Sequence, residues 1–174
     1  ETGKNVPEER GCLEEDNVLR MRTRALETVH SDGTCGVGLT ACLWAESRGG
    51  RIWREGAELR VDGAEELILL LSEETDYCAV ERSQAWETAA EKRTEERCRA
   101  AAALGYESLK KRHSEDFESR MSRACISLPT APEAERMFEL GRYLILSASR
   151  EDSPAPMNLQ GVWNDGVACR IGWT

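Results

Sequence analysis

The sequence predicts an α+β fold, strands first and helices after. Two observations carry this. From Val18 to Thr75, apolar residues alternate with polar ones and glycine turns punctuate the pattern. From about residue 81 the period lengthens to that of a helix, and Ala, Glu, Arg and Leu dominate. The change falls near Tyr77, so residues 18–75 are expected to be mainly antiparallel strand, and residues 81–124 and 132–149 mainly helix.

Residues 1–16 are polar and rich in Glu, with no periodicity, and are expected to be loose. Val37, Leu39, Ala41, Leu43 and Ala45 alternate with Gly38, Thr40, Cys42, Trp44 and Glu46, which predicts a strand with its first set buried. Asp32-Gly33 and Arg48-Gly49-Gly50 bracket it as turns. Ala57, Leu59 and Val61 make a further strand, and Asp62-Gly63 turns the chain again. Leu67 to Leu71 is an unbroken run of Leu and Ile and reads as a strand covered on both faces.

Residues 81–104 carry a thin apolar stripe and read as a solvated linking helix. Gly105 interrupts it. Tyr106, Leu109, His113, Phe117, Arg120, Met121 and Ala124 then line one side of a second helix. In a third, Ala134, Met137, Phe138, Gly141, Leu144, Ile145 and Ala148 share one face. Thr130 and Glu133 have capping-box spacing before it. Phe138 is expected to be buried, and Gly141 to admit a close helix neighbour. Pro154 and Pro156 exclude further helix. The chain then runs through Asn158-Leu-Gln160-Gly161-Val-Trp163-Asn164. Amides beside an indole suit a pocket wall that hydrogen-bonds and stacks a polar ring.

The chain has 174 residues, enough for one domain or pieces of two, with 40% hydrophobic and 32% charged residues. A net charge of −9 argues against a nucleic-acid or anionic-membrane partner. No apolar run approaches a membrane span, and residues 1–16 hold no signal-peptide h-region. The 7 cysteines are odd in number and widely spaced, without a CxxC pair. They read as free thiols of a reducing, cytoplasmic compartment rather than a disulfide framework. With only His30 and His113 beside them, no zinc pattern arises. No cofactor motif is present, since the glycines form no phosphate cradle and the serines have no His/Asp partner pattern. His113 reads as a packed histidine, and Trp44, Trp53 and Trp86 as packing residues.

Three pieces, Gly141-Arg142-Tyr143-Leu144, Ser147 to Arg150, and Asn158-Leu159-Gln160-Gly161-Val162-Trp163-Asn164, resemble glycoside hydrolase family 95, the inverting α-L-fucosidases. Met157 departs from the family, which has a small residue there. Weaker likeness runs upstream through Leu59-Arg60-Val61-Asp62-Gly63-Ala64, Thr75-Asp76-Tyr77, Tyr106 to Phe117 and Leu128-Pro129-Thr130. The resemblance implies an antiparallel β-sandwich portion, then linker helices and the first helix of an (α/α)6 barrel. Its divisions are a loose segment 1–17, part of a sandwich 18–77, a helical linker 78–128 and the truncated start of the barrel 129–174. It implies a glycosidase that releases terminal α-L-fucose, or a related L-sugar, from fucosylated glycans. In that reading Asn158, Gln160, Trp163 and Asn164 shape the sugar pocket. No catalytic residue is assigned, because the family's acid and base lie in later segments, and this fragment alone is expected to be inactive. Asp165 is the carboxylate nearest the loop. The alternative is a non-catalytic β-sandwich module that binds carbohydrate or a partner.

Overall fold

The computed structural model describes residues 16–24, 36–77, 79, 83–153 and 156–157, and the backbone alone for residues 6–9. The elements are β1 (Val6–Glu9), β2 (Val18–Arg24), β3 (Gly38–Arg48), β4 (Arg51–Glu55), β5 (Glu58–Asp62), β6 (Glu66–Thr75), α1 (Gln84–Leu104), α2 (Tyr106–Met121) and α3 (Pro132–Ala148). The fold is α+β, as the change of period predicts. It divides into two compact units, Gly3–Leu109 and Lys110–Thr174.

In the first unit a four-stranded antiparallel sheet has the order β1-β2-β3-β6, and β4-β5 form a separate hairpin. Val6–Glu9, in a stretch expected to be loose, pair with β2. Arg51–Glu55 is a strand that the alternation reading passes over. Gly49 and Gly50 turn β3 into it, both at positive φ. At Gly50 a Cβ would sit 2.3 Å from the Asp62 carbonyl oxygen, so only glycine fits.

Strand β3 is buried on both faces, not one. Ala41 and Ala45 are buried on the expected face, but Thr40 and Cys42, expected outside, are buried against α1. Val18, Cys42 and Cys98 form the core, with Trp44 and Leu70 packed against it. The register explains this, because Val18, Trp44 and Leu70 lie side by side on β2, β3 and β6. Strand β6 corrects the expectation of cover on both faces. Ile68 and Leu70 are half-buried, while Leu69 is 56% and Leu71 66% exposed. As the sheet's outer strand, β6 has cover over one face only.

Helix α1 is more than a solvated connector. Its N-cap Ser83 accepts the Trp86 N–H, and it buries Ala90, Thr94 and Cys98, one residue per turn. Small side chains let the helix lie close on the sheet, and its other faces are mostly charged up to Arg99, before the run Ala100 to Leu104. It ends where Gly105 takes φ 76° and donates its N–H to Ala101 and Ala102.

In the second unit α3 forms where its periodicity predicts, but it starts differently. The cap is Ala131, without a side-chain hydrogen bond, and Pro132 opens the first turn. Thr130 and Glu133 make no capping box. Glu135 accepts the Leu128 N–H instead, at 2.9 Å. Phe138, expected to be buried, is 39% exposed, and Met137, Leu144 and Ile145 are exposed with it. A Cβ at Gly141 would meet nothing within 4 Å, so no helix approaches there among the described residues. The face is apolar as the sequence predicts, but α3 is held from another side. Arg142 donates to the carbonyls of Arg120 at 3.2 Å, of Met121 at 2.8 Å and of Ala124. Phe117 stacks on Tyr143, with ring centroids 5.1 Å apart.

Candidate functional site

Asn158, Gln160, Trp163 and Asn164 lie outside the described residues, as does Asp165. What is described is the end of α3 that delivers the chain toward them. Arg150 fixes that end. Its backbone N–H donates to the Ser153 hydroxyl, and the Ser153 N–H donates back to the Arg150 carbonyl. Its guanidinium donates to the Leu146 carbonyl and to Asp116, and lies 4.9 Å from the Phe117 ring centroid. The Arg150 hydrogen bond holds the Asp116 carboxyl below its ordinary value, and Arg120 adds to this. His113, expected as a packed residue, stacks on Phe117 at 4.7 Å yet stays exposed. Two residues of the resemblance, Tyr143 and Arg150, therefore meet the aromatic cluster of α2. Sequence reasoning missed Asp116 and Arg150 as partners, because 34 residues separate them and neither breaks a pattern.

In the first unit the charged groups of β2 and α1 meet as a ladder. Arg20 pairs with Glu95, Arg22 with Glu91, and Arg24 with Glu87 at 3.0 Å. Alternate strand residues share a face, and helix residues four apart share a row, so the spacings match. At the end of the ladder Arg22, Arg24, Thr40, Trp86 and Glu87 line a cleft of about 310 Å³. On the opposite face of the sheet, Leu19, Met21, Leu43 and Leu71 share an apolar hollow of about 270 Å³ with Gly56 and Ala57 of the hairpin turn. Of the tryptophans, Trp44 packs on the core as expected, Trp53 lies under Arg51 on the hairpin, and Trp86 faces the cleft.

Glycosidic chemistry needs a carboxylic acid kept protonated, which calls for a raised pKa. Among the described carboxylates, the two that clearly shift go the other way. Glu74 is lowered, first by its hydrogen bonds from Arg93 and then by Arg97, and Asp116 by Arg150. These are structural anions. A depressed carboxylate contributes stability that is complete above its ordinary pKa of 4.5 and is lost as pH falls through its lowered folded value. Thermal melts should therefore show Glu74→Gln below wild type at pH 7, with the gap closing as the pH drops below 4.5. A gap of constant size from pH 7 to pH 2 would refute the role assigned to this pair.

Among the described residues no group of three or more His, Cys, Asp or Glu side chains is placed to hold a metal ion, and no helix is long and apolar enough to cross a membrane. Residues 134–174 match the glycosyl hydrolase family 95 catalytic domain. No curated protein matches the chain. The matched range takes in α3 from Ala134 on, Arg150 and the run from Asn158 to Asn164, and leaves the sheet, α1 and α2 outside it. The match supports a member of glycoside hydrolase family 95, with residues 134–174 the part of the chain that carries catalytic-domain sequence.

Proposed function

We propose that the chain is part of an α-L-fucosidase-like enzyme that hydrolyses terminal α-L-fucosyl linkages, or those of a related L-sugar, by inversion. The observation that carries this is the family match over residues 134–174, which includes the amide- and indole-bearing run. In this reading α3 is the first helix of an (α/α)6 barrel, and Asn158, Gln160, Trp163 and Asn164 form one wall of the sugar pocket. The amides orient hydroxyls and the indole packs on the apolar face of the ring. The acid and the water-activating base stand about 6.5–9.5 Å apart on opposite sides of the sugar and come from other segments. The sheet unit of residues 18–77 is then part of a β-sandwich domain, joined through the helical segment 78–128.

The test is made on this chain. L-fucose is titrated while tryptophan fluorescence is followed, and the chain is incubated with 2′-fucosyllactose and a nitrophenyl α-L-fucoside. Weak binding is expected, favouring L-fucose over D-glucose, reduced at least several-fold by Trp163→Ala, and without release of fucose. Equal binding of the two sugars, or binding that Trp163→Ala leaves unchanged, would remove the pocket wall from residues 158–164. Turnover that survives repurification and disappears with Asp165→Asn would place catalysis on the carboxylate nearest the loop.

A further inference from the structure

Cys42 and Cys98 are free thiols, 0% and 2% exposed, at the centre of the contact between β3 and α1. The Cys98 thiol donates to the Cys42 carbonyl at 3.4 Å and lies 3.5 Å from the Leu70 carbonyl. The sulfur of one cysteine thus rests against the backbone of the other, across a separation of 56 residues. We propose that Cys42 and Cys98 are a latent disulfide, a site of reversible oxidation by small-molecule disulfides that staples α1 to the sheet.

The chemistry balances as two exchanges. The Cys98 thiolate attacks the small disulfide RSSR, forming Cys98–S–S–R and releasing RS⁻. The Cys42 thiolate then attacks the Cys98 sulfur of that mixed disulfide and releases the second RS⁻. The two thiol protons end on the released groups, so two protein thiols and one RSSR become one protein disulfide and two RSH. The protein is oxidised by two electrons and the reagent reduced by two. Burial, with the neighbouring Cys98, pushes the Cys42 thiol up to about 12, and burial raises Cys98 as well. Both thiols therefore stay protonated and unreactive while α1 is docked. Exchange begins when α1 lifts and Cys98, on the moving element, meets the reagent. Redocking brings the mixed disulfide back to Cys42 and closes the bond.

The test incubates the whole chain with oxidised glutathione, quenches with acid, caps free thiols and maps linked peptides without reductant. Thermal melts are recorded before oxidation, after it, and after re-reduction. A Cys42–Cys98 linked peptide is expected as the main product, with a Tm rise on the order of 5–10 °C that reverses with dithiothreitol. Cys98→Ala should lose the linked peptide and the Tm rise, and Cys125→Ser, at an exposed position, should keep both. Free Cys42 and Cys98 after prolonged exchange, a product that stops at the glutathione adduct, pairing of either with another cysteine, or a lowered Tm would each overturn the proposal. The peptide map of the unaltered chain decides it even where Cys98→Ala fails to fold.

Discussion

Asp76→Ala is expected to destabilise the sheet unit by about 3 kcal/mol. Asp76 follows β6 directly and is 1% exposed. One carboxylate oxygen accepts the Gly38 N–H at 2.9 Å, and the other lies 3.3 Å from Arg24. Its own N–H donates to the Gly38 carbonyl at 3.0 Å, so β3 begins by clasping the residue that ends β6. Alanine would leave a buried N–H without its acceptor and remove an anion beside Arg24. Arg24 retains Glu87 and the Gly36 carbonyl, which keeps the loss at the lower end for a broken buried pair. Asp76→Asn retains an acceptor and should cost less than half as much. Urea titrations followed by tryptophan fluorescence read this, and a loss below about 1 kcal/mol for the alanine variant would show that the clasp contributes little.

Arg142→Ala is expected to cost the helical unit about 2–3 kcal/mol. The last carbonyls of a helix have no partner within it. Arg142 reaches from α3 to those of Arg120 and Met121 and to Ala124 beyond, so one guanidinium ties three carbonyls together, of which Arg120 also accepts the Arg123 N–H at 3.3 Å. Charge assistance raises the strength of each bond, and the cation also complements the negative end of the α2 dipole. Lysine offers one ammonium in place of the planar fork, so Arg142→Lys should recover under half of the loss. Amide exchange at the end of α2 checks this, since protection there should fall before protection in α1. Unchanged exchange would mean that α3 is held by the Phe117–Tyr143 stack instead.

The elements were legible where side-chain period and turn chemistry agree. β3, β5, β6 and all three helices follow from the sequence, as does the break at Gly105. Which faces are covered was less legible. The reading of β3 failed because the face under α1 is lined by Thr40 and Cys42, which look polar or neutral in a period-two pattern. Helix α1 hid its dry side for a related reason, since Ala90, Thr94 and Cys98 make a stripe of small residues between an acidic row, Glu87, Glu91 and Glu95, and the basic pair Arg93 and Arg97. Leu67 to Leu71 misled in the other direction, because an apolar run does not reveal that its strand lies at the border of the sheet. The family was read from motifs in and after α3, and the match over residues 134–174 agrees with it. The proposed sugar wall, Asn158, Gln160, Trp163 and Asn164, falls outside the described residues and rests on side-chain chemistry and motif.

The ladder between β2 and α1 also works as a gauge. Two strand residues advance about 6.7 Å and four helix residues about 6.0 Å. The mismatch over three rungs is little more than 1 Å, which flexible arginines absorb. Sliding α1 by one turn in one direction would bring Arg99 opposite Arg20, cation against cation, while Arg22 and Arg24 met Glu95 and Glu91. Sliding it the other way would set Ser83 opposite Arg24 and leave that cation without its glutamate. Only the observed alignment pairs all three arginines with glutamates of α1, and it is also the alignment that sets Cys98 over Cys42. A helix whose dry stripe is small and nearly uniform has little in its packing to mark one turn from the next. Here the charges count the turns.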